Sequence, residues 1–301
     1  MKKTLLISGC GDVGLRTVPL LHPQYRILAL CRNPANFNHL RLHGIIPISG
    51  DLDHSKTLHK LAGTAHVVLH LAPPPDHGNC DTRTANLLGA LTRRRVKRFF
   101  ILPQRLVYIS TSGVYGDCNG DLIDETRPVN PTSERALRRI DAEQQIRNWG
   151  KRNHVNVSIL RVPGIYAANR LPIKRLQAGT TMLTPEDDSY TNHIHANDLA
   201  RIIYAALRYG KHGRIYHASD DSQLKMGEYF DLVADHFGLP RPQRVKRNHA
   251  NGNISPAMLS YLNESRRLIN SRMKRELNIK LCYPTVSDGI NNKTMCDHLA
   301  R

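Results

Sequence analysis

The chain has 301 residues, 40% of them hydrophobic, and 43 Lys plus Arg against 25 Asp plus Glu, a formal net charge of +18. That apolar share supports a sizeable core and excludes a disordered chain, and the length suits one large domain or two small ones. No apolar run approaches the ~18 residues of a membrane span. The apolar part of residues 1–7 is too short for a secretory signal, and a Gly-rich turn stands where a cleavage site would fall. A cytoplasmic protein with no membrane partner is expected.

Strand-like runs at 4–8, 25–31, 44–49, 66–71, 106–110 and 155–162 alternate with helix-like stretches at 12–21, 37–43, 55–61, 81–96 and 132–149. This alternation, at the spacing of βαβ units, predicts an α/β fold with a doubly wound parallel sheet and helices on both faces. The second half differs. Residues 170–190 read as loop, 193–195 as a strand, 198–209 as a helix, 214–218 as a strand, and 226–237 and 268–277 as helices, with a linker or loop at 240–253.

The positive charge gathers at 93–98, 241–247 and 266–275. Such patches attract polyanions. No zinc finger or helix-turn-helix pattern accompanies them, and 6% aromatic residues do not suggest a stacking platform, so nucleic acid is disfavoured. A solvated basic surface and an attraction for phosphate-bearing small molecules both account for the charge. Cysteines at 10, 31, 80, 118, 282 and 296 lack C-x-x-C spacing; isolated reduced thiols are expected and no metal site is signalled.

Gly9-x-Gly11-x-x-Gly14 follows the first strand and opens a helix, the context in which this pattern binds a dinucleotide. The first glycine permits the tight turn, the second lets main chain approach a diphosphate, and the third lets helix and strand pack closely. Free N–H groups at the helix start, including those of Asp12 and Val13, then face the phosphates. Pro19 is expected to kink this helix or cost it one hydrogen bond. At the end of the second strand, Leu30-Cys31-Arg32-Asn33 carries no acid for a ribose 2′-hydroxyl. Arg32 suits a 2′-phosphate instead, so NADP is favoured over NAD, unless Arg32 merely faces water.

With these features the sequence resembles the extended short-chain dehydrogenase/reductase superfamily, in its nucleotide-sugar epimerase/dehydratase branch. Further matches are Gly50-Asp51-Leu52-Asp53, Leu69-His70-Leu71-Ala72, residues 108–117 (YISTSGVYGD), Glu125-x-x-Pro128-x-x-Pro131, Leu160-Arg161-Val162-Pro163-Gly164-Ile165-Tyr166 and residues 192–200. The resemblance implies a Rossmann-type NAD(P)-binding domain at 1–169 and 190–220, with a smaller substrate-binding region at 170–189 and 221–301. It implies that Asp51 and Leu52 contact the adenine, that Leu71 and Ala72 run under the cofactor, and that Ser110, Arg139 and Pro163 line its nicotinamide side. The implied substrate is an anionic small molecule such as a nucleotide-sugar. A homodimer is left open.

One departure bears on catalysis. Redox-active members carry Tyr-x-x-x-Lys at the start of the helix after the fifth strand. Spaced back from Glu143, those positions hold Arg135 and Arg139, and no register restores the pair: between Gly116 and Ile165 there is no Tyr, and the one Lys is Lys151. A guanidinium is not deprotonated in proteins, so Arg135 cannot act as acid or base, whereas Arg139 can donate hydrogen bonds to ribose hydroxyls. Spaced i, i+4, the two share a helix face that would suit an anion, unless both are simply solvated. Thr111, four residues before Tyr115, matches the family's Ser or Thr, whose hydroxyl bonds a substrate oxygen; Ser110 and Ser112 flank it. Tyr115 is a candidate substitute acid, with Tyr166, Asp117 and Glu134 as further candidates. His193 and His195 resemble structural positions. Two functions therefore stand open: an NAD(P)-dependent epimerase, dehydratase or reductase with an altered active site, and a catalytically inactive NAD(P)-binding sensor.

Overall fold

The computed structural model describes residues 2–93 and 101–291. Seven parallel strands form the central sheet: β1 (Lys3–Ser8), β2 (Tyr25–Cys31), β3 (Ile46–Ser49), β4 (Val67–His70), β5 (Arg105–Thr111), then Asn156–Val162 and Arg214–His217. Their order across the sheet is β3, β2, β1, β4, β5, Asn156–Val162, Arg214–His217. The order reverses between β1 and β4, where a doubly wound sheet opens a crevice at the carboxyl ends of its strands.

Period-2 alternation explains the layers. In β1, Leu5 and Ile7 join one core with Val18, Ile202 and Ile203, while Leu6 joins another with Leu87, Leu91, Ile146 and Trp149. The first core is covered by α1 (Asp12–Leu21) and the Ala196–Tyr209 helix. The second is covered by α3 (Thr82–Thr92) and α4 (Glu134–Asn153), whereas Leu40 of α2 (Phe37–Leu42) belongs to the first core. Both sheet faces are covered, which is why the strands read as nearly continuous apolar runs. Helix α1 runs unbroken past Pro19 to Leu21, and His22 N–H still bonds Val18 O at 3.0 Å. Proline this close to the helix end costs one bond and no visible interruption.

Three expectations need correction. The 170–190 stretch is not all loop: it holds a helix, Ile173–Gln177, and a strand, Thr181–Leu183. That strand pairs in parallel with Gln243–Val245, inside the stretch expected to be a linker. The helix expected over 268–277 is confined to Ser271–Glu276, because Arg267–Leu268 pairs with Leu122–Ile123. These pieces surround a third core of Tyr166, Leu176, Met182, Phe230, Val233 and Leu262. The end of the expected 81–96 helix and most of the 93–98 basic cluster lie outside the described residues. Cys10, Cys31, Cys80 and Cys118 are free thiols, whereas Cys282 is disulfide-bonded and departs from the expected isolated thiol. Among the described residues no helix is long and apolar enough to cross a membrane.

Candidate active site

The site begins where β1 turns into α1. Gly9 adopts φ +89°, and a Cβ there would lie 2.4 Å from the Ala72 nitrogen, so the turn touches the main chain that leaves β4. Leu71 N–H bonds Ser8 O at 2.7 Å and holds that contact. A Cβ at Gly14 would meet Cys10 Sγ and the Leu71 side chain, each at 3.3 Å. Gly11, the N-cap of α1, is different: a Cβ there meets nothing within 4 Å. The three glycines therefore do distinct jobs, and the mouth of α1 is bare and open, which fits a dinucleotide diphosphate on the helix N-terminus. Asp12, the first residue of α1, is bonded by Arg16 at 3.0 Å and Arg170 at 3.2 Å. Partial burial pushes its carboxyl up, but these two bonds outweigh that and hold it below the ordinary carboxylate value. Arg16 also reaches Asn197 at 2.7 Å and Asn169 at 3.1 Å, tying the mouth to the 168–170 turn.

At the adenosine end, Arg32 is 71% exposed and stands 4.0 Å from Asp53, whose carboxylate is already held by Arg83 through bonds of 2.7 and 2.8 Å. Asp51 accepts the Asp53 N–H at 3.0 Å and lies 3.3 Å from His54 Nδ1; Leu52 is buried. An acid thus does lie near the end of β2. It comes from the loop after β3, where inspection of β2 alone does not find it.

Behind the end of β5 runs a closed polar chain. Ser110 Oγ donates to Glu143 at 2.6 Å, and Glu143 holds Arg161 through bonds of 3.0 and 2.7 Å, with all three residues buried. Arg161 lies 4.7 Å over the Tyr115 ring, and the Tyr115 oxygen is 2.6 Å from His217 Nε2. His217 Nδ1 faces Ile269 O at 3.0 Å, so Nδ1 carries the proton, Nε2 the lone pair, and Tyr115 donates to it. Burial pushes the Tyr115 phenol up to about 12 and holds His217 down to about 3. Tyr115 and Ser110 are committed to this interior and do not line the cavity described next.

Thr111 does line it. Its Oγ1 accepts Gly113 N–H at 3.2 Å, which points the side chain forward off β5. The two α4 arginines part company. Arg139 donates to Tyr108 OH at 3.0 Å and Ile109 O at 2.8 Å and lies against β5, whereas Arg135 enters the cavity. They do not present one shared anion site. His193 and His195 stack on Tyr229 and Tyr283 at 4.2 and 3.7 Å, and burial holds them at about 3 and about 4, so both are neutral packing groups.

The cavity measures about 1060 Å³ and opens beside Thr111 and Pro163. Arg135, Arg170, Lys174, Arg175 and Arg266 face it against one carboxylate, Glu264, which Arg266 binds at 3.0 Å. Tyr261 and Tyr190 add aromatic walls. Tyr261, Glu264, Lys174 and Arg175 escaped the sequence reading. The Ser255-Pro256 pair was the available signal for a helix carrying Tyr261: Ser255 Oγ caps Met258 N–H at 3.3 Å and Pro256 starts the helix.

Comparison with known proteins agrees with the fold. A solved, functionally unknown conserved protein from Silicibacter pomeroyi superposes with a TM-score of 0.79 at 26% identity, covering 97% of this chain and 98% of that one. The dTDP-glucose 4,6-dehydratase DesIV of Streptomyces venezuelae, solved with NAD bound, shares the fold at a TM-score of 0.75 and 21% identity, over 96% of this chain and 95% of its own. In sequence, protein YeeZ of Escherichia coli K12 is 29% identical over 139 residues, 46% of this chain and 48% of YeeZ, so the match spans about half of either length. The model of the NAD dependent epimerase/dehydratase family matches residues 5–219, and the chain belongs to that family.

Proposed function

We propose that the protein binds NAD(P) along the carboxyl edge of the sheet and acts as an oxidoreductase on a nucleotide-sugar or a similar phosphorylated small molecule. The observation that carries this reading is the cavity: five cationic side chains against one already paired carboxylate, opening beside Thr111, with Arg170 of its wall bonded to Asp12 at the start of α1. Cations in a walled cleft concentrate an anionic substrate. Gly9, Gly11, Gly14 and the N–H groups of Asp12 and Val13 would hold the diphosphate. Asp51 and Leu52 would meet the adenine, Leu71 and Ala72 would run beneath the cofactor, and Arg139 and Pro163 would bound its nicotinamide end. Such a cofactor supplies hydride transfer. Arg32, exposed and only loosely paired with Asp53, supports NADP over NAD. Thr111 would position the substrate oxygen.

Calorimetry with NADP+ and NAD+, followed by a panel of dTDP-glucose, UDP-glucose and UDP-glucuronic acid under both cofactors, tests the reading. It expects dinucleotide uptake, competition of the sugar nucleotides with free UDP, and a change in nicotinamide absorbance with at least one member. Dinucleotide uptake with no sugar-nucleotide binding would refute the substrate class. A second reading, a dinucleotide-responsive binding protein without turnover, draws on the commitment of Tyr115 to His217 and on the absence of Tyr from α4.

A further inference from the structure

We propose that Tyr261 is the catalytic proton-transfer residue of this site, with Arg135 as its charge partner. The inference rests on the oxidoreductase reading above and supplies the group that reading lacks. Hydride chemistry at a carbinol carbon needs a group that takes or gives the oxygen-bound proton. Arg135 cannot be that group, and the buried Tyr115 hydroxyl donates to His217.

Tyr261 lies in the Pro256–Leu262 helix, whose Met258 and Leu262 are buried while Tyr261 is 46% exposed and faces the cavity that holds Thr111. Arg135 Nη1 donates to its hydroxyl oxygen at 3.2 Å, and the guanidinium sits 4.7 Å over its ring. The segment that follows crosses the end of β5. Thr132 Oγ1 donates to Glu264 at 3.4 Å, and a Cβ built at Gly113 would lie 3.8 Å from Glu264 Oε2 and 3.5 Å from Thr111 Oγ1. Of the three other phenols of the cavity wall, Tyr166 donates to Thr285 O at 3.1 Å, Tyr229 is stacked on His193, and the Tyr190 ring lies 4.7 Å beneath the Arg267 guanidinium.

Arg135 thus fixes the Tyr261 hydroxyl on the cavity wall. The expected Tyr and Lys of one helix are here a phenol and a cation drawn from two segments, with α4 contributing the cation. With an oxidised nicotinamide bound as the hydride acceptor, the Tyr261 oxygen would take the proton of the substrate O–H as the carbinol becomes a ketone. In the reductive direction the Tyr261 phenol would return that proton to the carbonyl oxygen.

The test places 3-fluorotyrosine at position 261, with a control at Tyr209, which is 48% exposed at the end of the Ala196–Tyr209 helix. Fluorine spectra are recorded before and after NADP+ and UDP-glucose are added, and dinucleotide loading is checked by calorimetry. The resonance at 261 is expected to move and that at 209 to stay. For any panel member that turns over, Tyr261→Phe is expected to lose ~100-fold or more in kcat with KM nearly unchanged. Arg135→Lys is expected to retain more activity than Arg135→Met. An unmoved resonance at 261 in dinucleotide-loaded protein, or full kcat in Tyr261→Phe, overturns the inference and leaves the oxidoreductase reading standing. No dinucleotide uptake at all overturns both. If no panel member turns over, the fluorine shift alone decides.

Discussion

Two polar systems meet at the end of β5 and behave in opposite ways. Behind the strand, Ser110, Glu143, Arg161, Tyr115 and His217 spend their hydrogen bonds on one another and are buried. In front, Arg135, Lys174, Arg175 and Tyr261 line an open cavity in which cations outnumber carboxylates. The closed chain is spent on holding β5 in place; the open set is the one we propose to bind an anion and move a proton. Residues with catalytic chemistry are therefore not catalytic by type. Tyr115 and Tyr261 carry the same phenol, and their surroundings assign one to structure and the other to the cavity.

Acid should have the largest effect, through the buried imidazoles, of which His217 belongs to the closed chain. Burial holds His70, His193 and His217 at about 3, against an ordinary value of 6.5. The unfolded chain takes up those protons first, so this contribution is complete above about pH 6.5 and is lost as pH falls toward about 3. Thermal unfolding followed from about pH 7 to about pH 4 should show a steeply falling midpoint; a flat profile would mean these imidazoles are not buried neutral. Glu143→Ala comes next. It strands the Arg161 charge in the interior and should cost about 3–5 kcal/mol by urea denaturation. A loss below about 1 kcal/mol would mean that the pair is solvated.

The open side should respond in binding and not in stability. Lys174→Gln combined with Arg175→Gln should leave the unfolding midpoint in place and weaken UDP-glucose roughly tenfold, more so at low salt. Equal affinity would remove these cations from the substrate site. The smallest effect is expected at the mouth of α1. Asp12→Asn removes a carboxylate beside the diphosphate position and should tighten dinucleotide binding about two- to fivefold; weaker binding would show that Asp12 organises Arg16 and Arg170 for the ligand.

Legibility followed the same division. The glycine turn could be read because its spacing is local and each glycine answers to main-chain geometry: Gly9 to Ala72, Gly14 to Cys10 and Leu71, Gly11 to open space. The sheet could be read from apolar runs and their alternation with helices. The cavity could not, because its wall is assembled from α4, the Ile173–Gln177 helix and the 256–266 segment, brought together by pairings such as Thr181–Leu183 with Gln243–Val245 that leave no periodic trace in so short a strand. Spacing placed Arg135 and Arg139 on one helix face. It did not reveal that Tyr108 and Ile109 capture Arg139 and that Tyr261 receives Arg135.

The central claim is that bare main chain at the start of α1 holds a dinucleotide diphosphate. Its most direct test is calorimetric titration of NADP+ and NAD+ into the wild-type chain and Gly11→Val. A Cβ at Gly11 meets no protein atom within 4 Å, so the variant should fold like the wild type while its side chain fills the space a diphosphate needs. The account predicts one-site binding to the wild type, none to Gly11→Val, and equal unfolding midpoints for the two. Uptake of dinucleotide by Gly11→Val with wild-type affinity, or no uptake by the wild type, would contradict it.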